Sequence, residues 1–152
     1  MRRAYNKLYP EEKLAAKIFD LHEGKKIGSG VKELSIVCEL SKHCNLVEYK
    51  RIKITSKNRL YIIMELCSQS LSQKIIAQEN YFPEAEVWRL LSNFVEGYKV
   101  LYSKSIIHRD IKPDNILIGL DGNYKITDFG LSDIINGLPI KKGKGSLCYM
   151  AP

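Results

Sequence analysis

The 152-residue sequence predicts an α+β fold. Three features carry that expectation: strand-like runs around a helical pattern in the first half, a long helical stripe from Val87 to Leu101, and two polar loops framed by short apolar segments. The loops are His108-Arg109-Asp110-Ile111-Lys112-Pro113-Asp114-Asn115 and Asp128-Phe129-Gly130.

In chain order, Leu14-Ala15-Ala16-Lys17-Ile18-Phe19 reads as a strand interrupted by one lysine. Taken alone, Lys17 is one surface lysine among many, because lysine is rarely buried unpaired. Residues 24–30 contain Gly24, Gly28 and Gly30 but lack a further glycine at Glu33, so they predict a flexible connection and not a phosphate cradle. Val31, Leu34, Val37 and Leu40 recur at helical spacing and predict a short helix over 31–40. Glu33 falls in its first turn, where a carboxylate complements the helix dipole. Segments 48–55 and 59–65 predict two strands joined by the turn-prone Ser56-Lys57-Asn58. A short helix is expected over 71–78. The strongest one begins at Pro83, with Glu84 and Glu86 in the favourable first turn. Its stripe of Val87, Leu90, Leu91, Phe94, Val95, Tyr98 and Leu101 is expected to be core. Ile116-Leu117-Ile118 and Tyr124-Lys125-Ile126-Thr127 read as strands that follow the first loop and precede the second.

The formal charge is +7 at pH 7, yet the basic residues are spread from Arg2 to Lys144 without an aromatic-interleaved stripe, which argues against nucleic-acid binding. No run approaches membrane-crossing length, since the best, Tyr61 to Leu66, contains Glu65; no membrane association is expected. Cys38, Cys44, Cys67 and Cys148 lack C-x-x-C spacing and paired histidines. Reduced thiols in an intracellular protein, cytoplasmic or nuclear, are therefore expected.

The two loops hold the chemistry. A carboxylate at Asp110 can accept a proton from a hydroxyl, and Lys112 can hold a migrating phosphoryl group by charge. Asn115 offers an amide oxygen and Asp128 a carboxylate, the hard oxygen ligands that magnesium prefers. The set suits metal-assisted phosphoryl transfer from a nucleotide. On these residues the chain resembles the protein kinase superfamily, because H-R-D-x-x-x-x-N and D-F-G occur together, in order and correctly separated.

The resemblance covers residues from about 13 to 152 and implies a two-lobed kinase-like fold, incomplete at both ends. Residues 1–66 would supply part of a strand-rich lobe with one helix; residues 67–152 would supply the hinge and the first part of the helical lobe. It implies ATP and Mg2+ as cofactors, and a protein substrate with a serine or threonine acceptor. Asp110, Lys112 and Asn115 would be catalytic, and Asn115 and Asp128 would hold metal. Lys17 would contact the α- and β-phosphates, paired with Glu33 or its rival Glu39. Ala15, Met64 and Leu117 would shape the ATP pocket, and the backbone of Glu65 and Cys67 would meet the adenine edge. His108 would be structural. Arg109 would be the arginine that receives an activation-loop phosphate in many kinases, although no Ser, Thr or Tyr lies between Asp133 and Gly145. Ser146, in a stretch similar to the G-T-P-x-Y-M-A-P of Ser/Thr kinases, would bridge Asp110 and Lys112.

Two family parts are expected to be missing: the glycine-rich loop with its two flanking strands before Lys17, and the helical half after Pro152. Little turnover and weak stability would follow for such a piece. A pseudokinase that binds nucleotide without catalysis is the alternative.

Overall fold

The computed structural model describes residues 2–5, 10–21, 24–78, 81–135 and 145–150. The first half forms a four-stranded antiparallel sheet from β1 (Arg2–Tyr5), β2 (Lys13–Asp20), β3 (Tyr49–Ile54) and β4 (Arg59–Glu65), in the order β1-β2-β4-β3. Leu60, Ile62 and Met64 alternate inward along β4 and meet Ala15 and Val47 in one apolar cluster, as a half-buried strand requires. Each such side chain contributes about 1.5–3 kcal/mol on burial. Helix α1 (Gly24–Glu39) packs beside this sheet.

The second half contains β5 (Cys67–Ser70), α2 (Leu71–Ala77), α3 (Glu84–Ser103), β6 (Ile106–Ile107), β7 (Ile116–Gly119), β8 (Tyr124–Ile126) and β9 (Asp133–Ile134). A three-stranded sheet runs β5-β7-β8, and β6 pairs with β9. Ser70 starts α2 with a capping box: its hydroxyl accepts from Gln73 N–H, and the Gln73 side chain accepts from Ser70 N–H.

A short link ties the halves together. Asn45 O accepts from Ile126 N–H and Val47 N–H donates to Ile126 O, both at 3.0 Å, so the segment after α1 lies beside β8 just upstream of Asp128. Helix α3 presses on the same segment at Gly97, where a Cβ would stand 2.6 Å from Asn45 O. No larger residue fits that approach.

Three expectations need correction. Residues 24–30 are not a connection but the first two turns of the 16-residue α1. Glycine costs a helix up to about 1 kcal/mol per residue, but packing decides here: a Cβ at Gly30 would crowd Leu60 at 3.1 Å and Phe19 at 3.3 Å. Glu33 is therefore mid-helix, and the dipole explanation does not apply to it. Second, a strand does precede Lys17: β1 pairs antiparallel with β2, with Arg3 opposite Ala15. Third, the α3 stripe is wider than the face its neighbours cover. Leu101 is fully buried and Leu90, Phe94 and Tyr98 pack inward, whereas Val87, Leu91 and Val95 are 39%, 47% and 48% exposed. A smaller shift is at Pro83, which caps α3 and stands just outside it.

Candidate active site

Lys17 stands on β2 opposite Ile62, which aims its side chain toward α1 and the Asp128 loop. Its ammonium lies 2.7 Å from Glu33 Oε2 and 2.7 Å from Asp128 Oδ1. Burial draws the Lys17 pKa down, but Glu33 and Asp128 outweigh it and hold the ammonium above its ordinary value. Glu33 is 1% exposed, and its burial pushes its own carboxyl up against the pull of Lys17. With a second carboxylate at contact distance, the ammonium is the fixed partner, and Lys17 is charged at neutral pH. Glu39, at the other end of α1, is exposed and makes no such contact.

Asp128 adopts a left-handed backbone at φ 65°, which turns its carboxylate toward Lys17 and leaves the side chain 44% exposed. Phe129 beside it is fully buried between Tyr49, at 6.1 Å between ring centroids, and His108 at 5.3 Å. His108 is also fully buried. Its Nδ1 accepts from Asp110 N–H at 3.3 Å, which leaves Nε2 to donate to Thr127 O at 2.9 Å. Burial holds its pKa down. Thr127 N–H donates to Asn115 O at 3.1 Å, so the two polar loops are stitched together at Thr127.

Asp110 is enclosed by donors. Oδ1 accepts from Ser146 N–H at 3.0 Å and Ser146 Oγ at 2.7 Å; Oδ2 accepts from Asn115 Nδ2 at 2.9 Å and faces Lys112 Nζ at 3.1 Å. Lys112 Nζ also donates to Ser146 Oγ at 2.7 Å. Burial would raise the Asp110 pKa, but Ser146, Lys112 and Asn115 together hold the carboxyl below its ordinary range. Because Asn115 spends its Nδ2 on Asp110, its Oδ1 remains as an acceptor.

Ala15 and Met64 are buried in one cluster, with Leu117 and Cys67 packed against it. Glu65 has a side-chain role the sequence did not reveal: its carboxylate accepts from Lys125 Nζ at 2.9 and 3.0 Å and from Glu48 N–H at 2.8 Å. Arg109, at φ 69°, pairs with Asp133, which in turn pairs with Lys32 of α1. Lys125, Lys32 and Asp133 were all missed. The one available signal was an arginine of the phosphate-receiving kind with no phosphorylatable residue between Asp133 and Gly145. Most of that stretch, including Lys141, Lys142 and Lys144, lies outside the described residues.

A lysine held between two acids, and a carboxylate fenced by lysine, serine and asparagine on a loop stitched at Thr127 to that of Asp128, form the kind of donor set that phosphoryl transfer from a nucleotide calls for. The protein kinase domain family matches residues 3–152, and the chain belongs to that family. It is 33% identical over 138 residues to a serine/threonine-protein kinase of Caenorhabditis elegans, covering 88% of this chain and 14% of that protein. It is 38% identical over 116 residues to the membrane-associated tyrosine- and threonine-specific cdc2-inhibitory kinase of Drosophila melanogaster, covering 75% of this chain and 21% of that protein. Among solved structures it resembles a chain of the yeast RNA Pol II CTD kinase CTDK-1 complex, with a TM-score of 0.75 and 31% identity, over 88% of this chain and 43% of that one. The chain thus has a partial protein-kinase fold and spans less than half the length of each of these relatives.

Proposed function

We propose that this chain is the central part of an ATP-dependent protein serine/threonine kinase. The observation that carries the reading is a chain of contacts: Lys17 meets Asp128 directly, and the Asp128 loop is stitched at Thr127 to the loop that holds Asp110. Lys17 would steady the nucleotide phosphates, with Glu33 fixing its ammonium. Asp110 would orient the acceptor hydroxyl and take its proton, since its carboxylate is held ionised. Lys112 would stabilise the charge on the transferring group. Ala15, Met64 and Leu117 offer apolar walls for an adenine ring, with the backbone of Glu65 and Cys67 at its edge.

The donors fit Mg2+. Among the described residues no cluster of three or more His, Cys, Asp or Glu could cage a metal. Two oxygen donors, Asn115 Oδ1 and Asp128, suit an ion that keeps waters and shares phosphate oxygens instead. When bound, Mg2+ would neutralise phosphate charge during transfer. The serine/threonine preference rests on Lys112 and its contact with Ser146.

Lys17→Met tests the reading in the full chain with ATP, Mg2+ and Ser, Thr and Tyr peptides. Wild type should label Ser or Thr peptides, at the low turnover expected of a partial domain, and the variant should lose most of that labelling. Nucleotide binding with no transfer by wild type would favour the binding-module alternative.

A further inference from the structure

Asp133 joins two elements that the catalytic reading keeps separate. It opens β9 and pairs in register with Ile107 of β6, so its backbone is fixed one residue from the start of the His108 loop. One carboxylate oxygen pairs with Lys32 of α1 and the other accepts from Arg109. Lys32 directly precedes Glu33, and Arg109 directly precedes Asp110.

We propose that Asp133 is a positioning residue: a resident carboxylate that locks α1 to the catalytic loop through Lys32 and Arg109, so that Glu33 and Asp110 are set together. The inference rests on the kinase reading for its consequence, though not for its geometry. Arg109 is 7% exposed at its side chain and holds a left-handed backbone, which other contacts must sustain. A solvated ion pair would impose little order, but here one partner is buried and the carboxylate spans two elements. No Ser, Thr or Tyr lies between Asp133 and Gly145, so that stretch offers no phosphate to supply the same charge.

Amide hydrogen exchange on the full chain, without nucleotide, tests the bridge. Asp133→Asn and Lys32→Met should each speed exchange about tenfold both in residues 30–37 and in residues 108–112. The double variant should exchange no faster than the faster single one, and Asp133→Glu should keep most of the protection. Loosening of α1 alone by Lys32→Met, additive effects, or an Asp133→Asn protein that exchanges like wild type would each overturn the proposal. Should Asp133→Asn fail to fold, Lys32→Met carries the test by itself, because Lys32 is a partly exposed surface side chain. Phosphotransfer on the same proteins separates the two readings. A wild type that transfers no phosphate sinks the catalytic reading, while the exchange data still decide the bridge.

Discussion

The proposed role of Asp110 needs an ionised carboxylate on a side chain only 11% exposed. Burial alone would favour its neutral form, and the Ser146, Lys112 and Asn115 contacts reverse that. If Asp110 is the base, as proposed, it is competent above its lowered pKa, and activity is lost as pH falls through that value. Removing a donor that lowers the pKa should move the loss to higher pH. Ser146→Ala is therefore expected to shift the acid limb of the kcat/KM profile upward, whereas Asp110→Asn should lower kcat by roughly 10²–10⁴ without leaving a limb. An acid limb that stays put in Ser146→Ala would show that Asp110 does not set it. His108 lies nearest in sequence to a general-base role, but both its ring nitrogens are engaged with backbone.

Elements meet at Glu86. It accepts from Arg89 at 2.9 Å and also from Lys74 of α2 and the Tyr124 hydroxyl of β8, so one carboxylate pins α2, α3 and β8. Those hydrogen bonds, Arg89 first, draw its pKa down to about 2. A depressed carboxyl contributes stability above its unfolded pKa and loses it as pH falls toward the folded value. Glu86→Gln should lower the thermal midpoint at pH 7 and flatten the fall in stability between roughly pH 4.5 and pH 2. A pH dependence equal to wild type would count against the cluster. The sequence made Glu86 legible only as a first-turn acid, because two of its three partners come from other elements. Similarly, α3, β4 and the loop motifs were legible from period and spacing. The start of α1 was not: helix propensity cannot register that Gly30 sits against Leu60 and Phe19. Asp110, Asn115 and Asp128 were readable because their spacing is local to two loops, and Lys17 only through the resemblance those loops carry. Asp133 and Lys125 were not, because only the folded chain selects their partners.

Across the whole molecule, the two halves are joined by the Asn45–Ile126 link and by Glu65 with Lys125. Lys125 is 7% exposed at its side chain and keeps a second acid, Asp121, at 3.2 Å. Glu65→Gln should leave that ammonium underpaired and reduce stability by about 1.5–3 kcal/mol, read from the urea midpoint. Little change would mean that Asp121 suffices. The same join holds β2, with Lys17 on Asp128, against the loops that carry Asp128 and Asp110, so transfer chemistry tests the proposed site best. The full chain, given Mg2+ and ATP labelled at its terminal phosphate, should modify Ser or Thr peptides. Asp128→Asn should abolish this at least as completely as Asp110→Asn does. Labelling that persists unchanged in Asp128→Asn would contradict the account.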